Sequence, residues 1–164
     1  MQVTLEPIAQ DELPMLRNLW ELYVHDFTEF LPREPGADGR FETEDSFATR
    51  VAPPLELLWI KRDGRTAGFV FLRPASFLDG DPAVSDVAQF FVLRGHRGAG
   101  VGHAAATLAF ARRPGRWEVR EAASNKPAQR FWRRVIAGVT AGNYTERAWE
   151  KGGAGGVVQS FEAR

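Results

Sequence analysis

A loop rich in glycine and arginine, Arg94 to Gly102, lies between an apolar segment and an alanine-rich segment. Gly98, Gly100 and Gly102 lack a Cβ atom, so the backbone N–H groups around them can converge on an anion at the start of a helix. The helix macrodipole favours negative charge at the same place, and Arg97 adds a cation. The pattern predicts a strand, an anion-binding loop and a helix, with a pyrophosphate as the expected ligand.

The spacing of the glycines distinguishes between phosphate-binding motifs. A dinucleotide fingerprint needs G-x-G-x-x-G, whereas this loop has G-x-G-x-G, and a Walker A loop needs a lysine and a hydroxyl residue that are absent here. A protein that binds ATP or NAD through this loop is therefore disfavoured. The loop instead has the pattern R-x-x-G-x-G, formed by Arg97, Gly100 and Gly102. A glycine-rich turn that binds nothing is the alternative for such a short motif.

Residues farther along the chain fit a family that uses this pattern. A short predicted strand, Arg116 to Arg120, is followed by an asparagine that opens a helix and then by an alanine and an aromatic pair, which are Asn125, Ala128, Phe131 and Trp132. Together with the loop, this arrangement resembles the GNAT superfamily of N-acetyltransferases, and in particular a bacterial subgroup of it. The resemblance covers about the second half of the chain.

The resemblance implies acetyl-CoA as the co-substrate. In that fold the pantetheine arm lies between the fourth and fifth strands and pairs with exposed backbone, here near Phe91 and Val92. We expect the N–H of Val92 to stabilise the oxygen that becomes negative in the reaction. The other residues expected to contact acetyl-CoA lie in the loop and at the start of the last helix: Arg97, Gly98, Ala99, Gly100, Val101, Gly102, His103, Asn125, Ala128, Phe131 and Trp132.

Two positions depart from the family pattern where protons are transferred. The aromatic pair ends in Trp132, where many relatives have a tyrosine that protonates the leaving thiolate, and an indole N–H is not an acid near neutral pH. The fourth strand has Gln89 where many relatives have glutamate, and an amide cannot act as a general base. Tyr23, Ser124 and Tyr144 remain as hydrogen-bond donors.

A general base would then come from the end of the first helix, which in this fold borders the acceptor cleft. His25, Asp26 and Glu29 are candidates for recognising or deprotonating an amine, with a solvated helix end as the alternative. The resemblance implies direct attack of a primary amine, from a small molecule or a protein, on acetyl-CoA in a ternary complex. A non-catalytic acyl-CoA-binding or regulatory module on the same fold is the alternative, which Gln89 and Trp132 favour.

Composition sets further limits. The 164 residues are the size of one domain, and 21 basic residues balance 21 acidic ones, so charge does not suggest a nucleic-acid partner. The absence of cysteine excludes an acyl-cysteine intermediate, and three dispersed histidines make a metal site unexpected. No apolar run approaches the roughly 18 residues of a membrane span. We expect a cytoplasmic protein without a membrane partner, and leave a homodimer open.

The order of predicted elements gives the expected fold class. The order matches an α/β fold of the GNAT type, and the resemblance implies a mixed, mostly antiparallel central sheet of about seven strands, flanked by about four helices and splayed between strands four and five. The first helix is expected to begin at an Asp11 N-cap and to bury one apolar face. That face comprises Leu13, Leu16, Trp20, Tyr23, Val24 and Phe27. The other predicted helices are Glu42 to Val51, Gly100 to Arg113 and Asn125 to Ile136, and the predicted strands include a hairpin around Asp63-Gly64 and a strand at Val84 to Leu93.

Overall fold

A computed structural model describes residues 1–164 as one seven-stranded sheet with four α-helices. The strands are β1 (Val3–Pro7), β2 (Glu56–Arg62), β3 (Arg65–Arg73), β4 (Val84–Val92), β5 (Gly115–Ala122), β6 (Tyr144–Lys151) and β7 (Ala154–Ala163). The helices are α1 (Leu13–Phe27), α2 (Glu44–Arg50), α3 (Val101–Arg112) and α4 (Lys126–Thr140). The strand order is β1-β2-β3-β4-β5-β7-β6. The predicted fold class is confirmed.

All neighbouring strands are antiparallel except β4 and β5. These two strands run parallel and pair only from Val84 to Val87 on β4, against Arg116 to Val119 on β5. Beyond Val87, β4 continues to Val92 without a partner on that side. We call the resulting gap between β4 and β5 the fork. It is the predicted splay, and it leaves backbone hydrogen-bonding groups unpaired inside the protein.

The sheet has an apolar core on each face. One core packs under α3 and α4 and includes Phe110, Trp117 and Ile136, each at most 1% exposed. The other packs under α1 and α2, where Trp20 stacks on Phe71 with ring centroids 5.9 Å apart. Strand β3 serves both cores, which explains its continuous apolar sequence. Such double-sided burial holds β3 and β4 firmly in place beside the fork.

Element boundaries differ from the predictions at several helix ends. Helix α2 begins at Glu44 and not at Glu42, because the Thr43 side chain accepts the Ser46 N–H and caps the helix there. The predicted Asp11 N-cap is wrong, because a 3₁₀ turn at Gln10–Glu12 precedes α1 and the Glu12 carboxylate accepts the Ala9 N–H at 2.9 Å. Helix α4 runs beyond Ile136 to Thr140 and ends where Ala141 adopts a left-handed conformation with φ of 52°. Burial of the apolar face of α4 extends the helix past the point that the sequence suggested.

Candidate active site

The fork opens into a cavity of about 570 Å³. We call it the fork cavity. Its walls come from the end of α1, from β4, from the glycine loop and from the start of α4. Most of the residues selected from the sequence line it: Asp26, Glu29, Phe91, Val92, Arg97, Gly98, Gly100, Gly102, His103, Asn125, Ala128, Phe131 and Trp132.

Three of the selected residues lie outside the wall of this cavity. The side chain of His25 is 69% exposed, and its ring lies 6.2 Å from that of Phe41. Val101 is fully buried in the core beneath α3 and α4, and Ala99 is exposed. The structure therefore brings Asp26 and Glu29 to the cavity but not His25.

Val92 directs its backbone groups into the fork. Alternate residues of a strand point their N–H and C=O groups to opposite neighbours. The Phe91 carbonyl faces β3, because a Cβ atom placed on Gly68 would lie 1.9 Å from its oxygen. Val92 consequently faces the other side, where its carbonyl accepts a 2.7 Å hydrogen bond from Nε of Arg97. The exposed backbone groups at the fork thus belong to Val92 and Phe90, while Phe91 contributes its side chain.

The glycine loop adopts a conformation that depends on its glycines. Gly98 and Gly100 have φ of 76° and 81°, in the left-handed region that other residues adopt at a cost. Gly100 is the N-cap of α3 and offers no capping side chain, so the first N–H groups of the helix have no side-chain acceptor. Gly102 lies close to the ring of Phe131: a Cβ atom added to Gly102 would be 3.3 Å from that ring. Free N–H groups and the helix dipole suit an anion at this end of the cavity.

Two arginines of the loop are paired with the end of α1. Asp26 accepts hydrogen bonds from Arg94 at 2.8 Å and from Arg97 at 2.6 Å. Partial burial raises the pKa of Asp26, but the hydrogen bonds and charges of the two arginines outweigh it and hold the pKa below its ordinary value. Asp26 is therefore a weak base. Glu29 lines the same cavity without an ion pair.

Asn125 has the capping role that its position predicted. Its side-chain oxygen accepts the N–H of Ala128 at 3.1 Å, and Pro127 follows in the first turn of α4. Asn125 is 8% exposed and lines the cavity. Its amide N–H groups make no hydrogen bond within the protein and remain available to a ligand.

The aromatic pair of α4 forms a packed wall. Trp132 is 5% exposed, and its ring lies 5.0 Å from that of Phe90 and 6.1 Å from that of Phe110. Its indole makes no hydrogen bond within the protein, although one side of the residue lines the cavity. These contacts fit a packing role.

The hydroxyl donors considered from the sequence are in different surroundings. Ser124 donates to the carbonyl of Phe30 at 2.9 Å, and Tyr144 packs against the core under α3 and α4. Tyr23 lines the fork cavity and donates to the side-chain oxygen of Gln89 at 2.6 Å. Burial raises the pKa of Tyr23, so its phenol stays protonated.

Sequence reasoning missed the Tyr23–Gln89 pair and part of the cavity wall. The sequence predicts Tyr23 and Phe27 on the core face of α1, yet both line the fork cavity, as does Phe30 beyond the helix end. Their spacing of three to four residues was the available signal, but it is the same for a core face and for a cavity wall. A contact between residues 23 and 89 leaves no trace in sequence spacing.

The splayed mixed sheet and the glycine loop at its fork define an α/β protein of the acetyltransferase type. Residues 16–136 match the model of the acetyltransferase (GNAT) family. Because the match spans well over half of the chain, the protein belongs to this family. No curated protein sequence matches the chain significantly.

Solved structures share the fold at low sequence identity. An acetyltransferase from Thermus thermophilus is 16% identical with a TM-score of 0.69, over 99% of this chain and 97% of that one. The aminoglycoside acetyltransferase AAC(6')-Ib, in complex with ribostamycin and coenzyme A, is 15% identical with a TM-score of 0.73, over 100% and 94%. A chimeric spermidine N-acetyltransferase from Vibrio cholerae is 12% identical with a TM-score of 0.63, over 99% and 96%. At such identities the similarity shows the fold alone.

Two further observations concern partners. None of the helices combines the length and the apolar composition needed to cross a membrane. No group of three or more histidine, cysteine, aspartate or glutamate side chains is placed to hold a metal ion.

Proposed function

We propose that the protein transfers the acetyl group of acetyl-CoA to a primary amine by direct attack in a ternary complex. One observation carries the proposal: the unpaired N–H of Val92 and the free N–H groups at the start of α3 open into the same cavity. A thioester and a pyrophosphate joined by a pantetheine arm need both features at once, at the two ends of one apolar channel.

The residues present fit acetyl-CoA along the length of the cavity. The start of α3 and Arg97 suit the pyrophosphate, and the unpaired backbone of Phe90 can pair with an amide of the pantetheine arm. Asn125 offers amide N–H groups from the opposite wall of the fork cavity, and Phe131 supplies apolar surface. Solved relatives with the same fold contain coenzyme A or acetyl-CoA, which supports this placement.

The chemistry requires a hydrogen-bond donor for the thioester oxygen and an acceptor for the proton of the amine. The Val92 N–H is a fixed donor for the carbonyl oxygen that becomes negative as the amine attacks. Glu29 is the carboxylate of the fork cavity that is free to take the proton of the attacking amine, because Asp26 is held by two arginines. The thiol has a pKa of about 8.5, so its thiolate leaves readily without an acid.

The test is release of free CoA from acetyl-CoA when a panel of primary amines is added, with acetyl-CoA binding measured separately by calorimetry. We expect binding without any amine and CoA release with at least one of them. Binding without release by any amine would instead favour the non-catalytic acyl-CoA-binding module. Absence of binding would refute both.

Two variants test the assigned roles. Val92→Pro removes an N–H that makes no sheet hydrogen bond, and we expect it to keep acetyl-CoA binding while lowering kcat about a hundredfold. Glu29→Gln should lower kcat most near neutral pH and least at high pH, where hydroxide can take the proton instead. Glu34→Gln, in the exposed loop after α1, is the matched control, and its kcat should equal that of the wild type at every pH. Circular dichroism confirms that each variant is folded.

A further inference from the structure

A second cavity of about 320 Å³ lies on the α2 side of β4. We call it the side cavity. Its lining is Ser46, Thr49 and Arg50 from α2, with Leu55, Arg73, Ala88 and Gln89. Two arginines and three neutral polar residues thus surround it, and no aspartate or glutamate does. A small cavity with this lining favours an anion over a cation.

The arginines of the side cavity have donors to spare. Arg50 makes no hydrogen bond, and its closest carboxylate, Glu42, is 3.6 Å away and also pairs with Arg33 at 2.8 Å. Arg73 gives one nitrogen to Asp86 at 2.8 Å, but Asp86 is shared with Arg120 at 2.9 Å. Four arginines (Arg33, Arg50, Arg73 and Arg120) therefore share the two carboxylates of Glu42 and Asp86.

Gln89 joins the side cavity to the fork cavity. Its side-chain oxygen accepts from Tyr23, which lines the fork cavity, whereas Gln89 lines the side cavity. The pair therefore stands where the two cavities adjoin. The amide nitrogen of Gln89 makes no hydrogen bond in the protein, so it is another free donor. A ligand seated among Arg50, Arg73 and Gln89 would extend toward the site of acetyl transfer.

We infer that the side cavity binds the carboxylate of the amine acceptor, so that the acceptor is a small molecule of the amino-acid class. The inference rests on the proposed function and specifies its substrate. Guanidinium groups bind carboxylates through paired, charge-assisted hydrogen bonds, and Gln89 supplies a neutral donor beside them. Among the solved relatives, one is in complex with ribostamycin and another is named for spermidine, and both of these are polycationic amines. The side cavity would repel such acceptors.

The distance between the two ends limits the acceptor's length. Gln89 and Val92 are three positions apart on β4, which corresponds to about 10 Å along an extended strand. A carboxylate in the side cavity and an amine near Val92 therefore belong to a small molecule in which the two groups are separated by up to about 10 Å, as in an ω-amino acid or an amino acid that reacts through a side-chain amine. Protein chains and aminoglycosides exceed this length unless only one end enters.

The experiment compares matched amines in the CoA-release assay. The panel contains the α-amino acids, ω-amino acids of increasing length and the carboxamide of each, together with spermidine. We expect at least one amino acid to exceed its carboxamide tenfold or more in kcat/KM, and spermidine to be a poor acceptor. Arg50→Gln should abolish the preference mainly by raising KM for the carboxylate, while the carboxamide is unaffected. Arg65→Gln, an exposed arginine of the β2–β3 hairpin, is the control.

A binding measurement provides a readout without catalysis. Calorimetry should show the N-acetyl derivative of the preferred amino acid binding to the wild type, and at least tenfold more weakly to Arg50→Gln. Equal rates for carboxylate and carboxamide, or a preference for spermidine, would overturn this inference and leave acetyl transfer standing. If no amine of either kind releases CoA, the proposed function itself fails and the inference fails with it.

Discussion

Nη2 of Arg97 donates a 2.6 Å hydrogen bond to Oδ2 of Asp26, so the arginine of the glycine loop is already neutralised by the end of α1. Arg94 binds the other oxygen of the same carboxylate. An anion that reaches the loop must therefore compete with Asp26 for these guanidinium groups. The carboxylate is ionised at neutral pH, because the two arginines hold its pKa below its ordinary value despite partial burial.

Removal of this competitor should strengthen the binding of acetyl-CoA. We expect Asp26→Asn to lower the Kd of acetyl-CoA about fivefold at low salt, which corresponds to about 1 kcal/mol, and the gain should shrink as salt is added. Calorimetry at several salt concentrations measures the effect. Asp11→Asn removes one negative charge far from the cavity and should change nothing. Weaker binding by Asp26→Asn would show that Asp26 holds the arginines in the binding geometry instead.

The loop assignment is tested at Gly100, which has φ of 81° and caps α3. Gly100→Asp and Gly100→Asn impose nearly the same backbone strain, but only aspartate adds a charge beside the expected pyrophosphate. We expect aspartate to weaken acetyl-CoA binding by well over tenfold relative to asparagine, or more than about 1.4 kcal/mol. Calorimetry on both folded variants gives the comparison. Equal affinities would mean that the phosphates bind elsewhere.

Asn125 combines two roles that a single substitution can separate. Aspartate can still accept the Ala128 N–H but has no amide N–H to offer a ligand. Asn125→Asp should thus keep the melting temperature and weaken acetyl-CoA binding, whereas Asn125→Ala should lower both stability and affinity. Differential scanning calorimetry and titration calorimetry separate the two effects. Unchanged affinity in Asn125→Asp would leave Asn125 as a helix cap only.

The sequence predicted what local chemistry determines. The glycine loop between a strand and a helix, the Asn125 cap and the order of elements along the chain could all be predicted, because turns, caps and periodicity are encoded within a few residues. The contacts between segments distant in the chain could not be predicted from the sequence. Nothing in the spacing of residues 23 and 89, or of 26 and 97, indicates that they meet, and the apolar periodicity of α1 does not distinguish a residue of the core from a residue of the cavity wall. The side cavity likewise arises only when α2 packs beside β4.

A buried carboxyl group should make stability depend on pH. Glu121 on β5 is 4% exposed, and neither of its oxygens has a hydrogen-bond partner. Burial, reinforced by the charge of Glu146, raises the pKa of Glu121 from 4.5 to about 8. A raised pKa in the folded state means that stability is full below pH 4.5 and is lost as pH rises to about 8.

We therefore expect Glu121→Gln to remove this loss. The free energy of unfolding of the wild type should fall, relative to Glu121→Gln, by about 1.4 kcal/mol per pH unit between those limits. Urea titrations at several pH values measure the difference, and Glu162→Gln on the exposed side of β7 is the control. A difference that is constant with pH would show that Glu121 is already ionised in the folded protein.

The last prediction is that Trp132 serves packing and takes no part in proton transfer. Trp132→Phe deletes the indole N–H and keeps an aromatic ring against Phe90 and Phe110, so it should retain most of kcat at the cost of about 1–3 kcal/mol of stability. Trp132→Tyr introduces a phenol of pKa about 10, which can donate a proton to the leaving thiolate, and should leave kcat unchanged or raise it modestly. CoA release across a range of pH, with the best amine of the panel, compares both variants with the wild type. A hundredfold fall of kcat in folded Trp132→Phe would instead assign the indole N–H a direct role, because packing loss on this scale changes stability before it changes the chemical step.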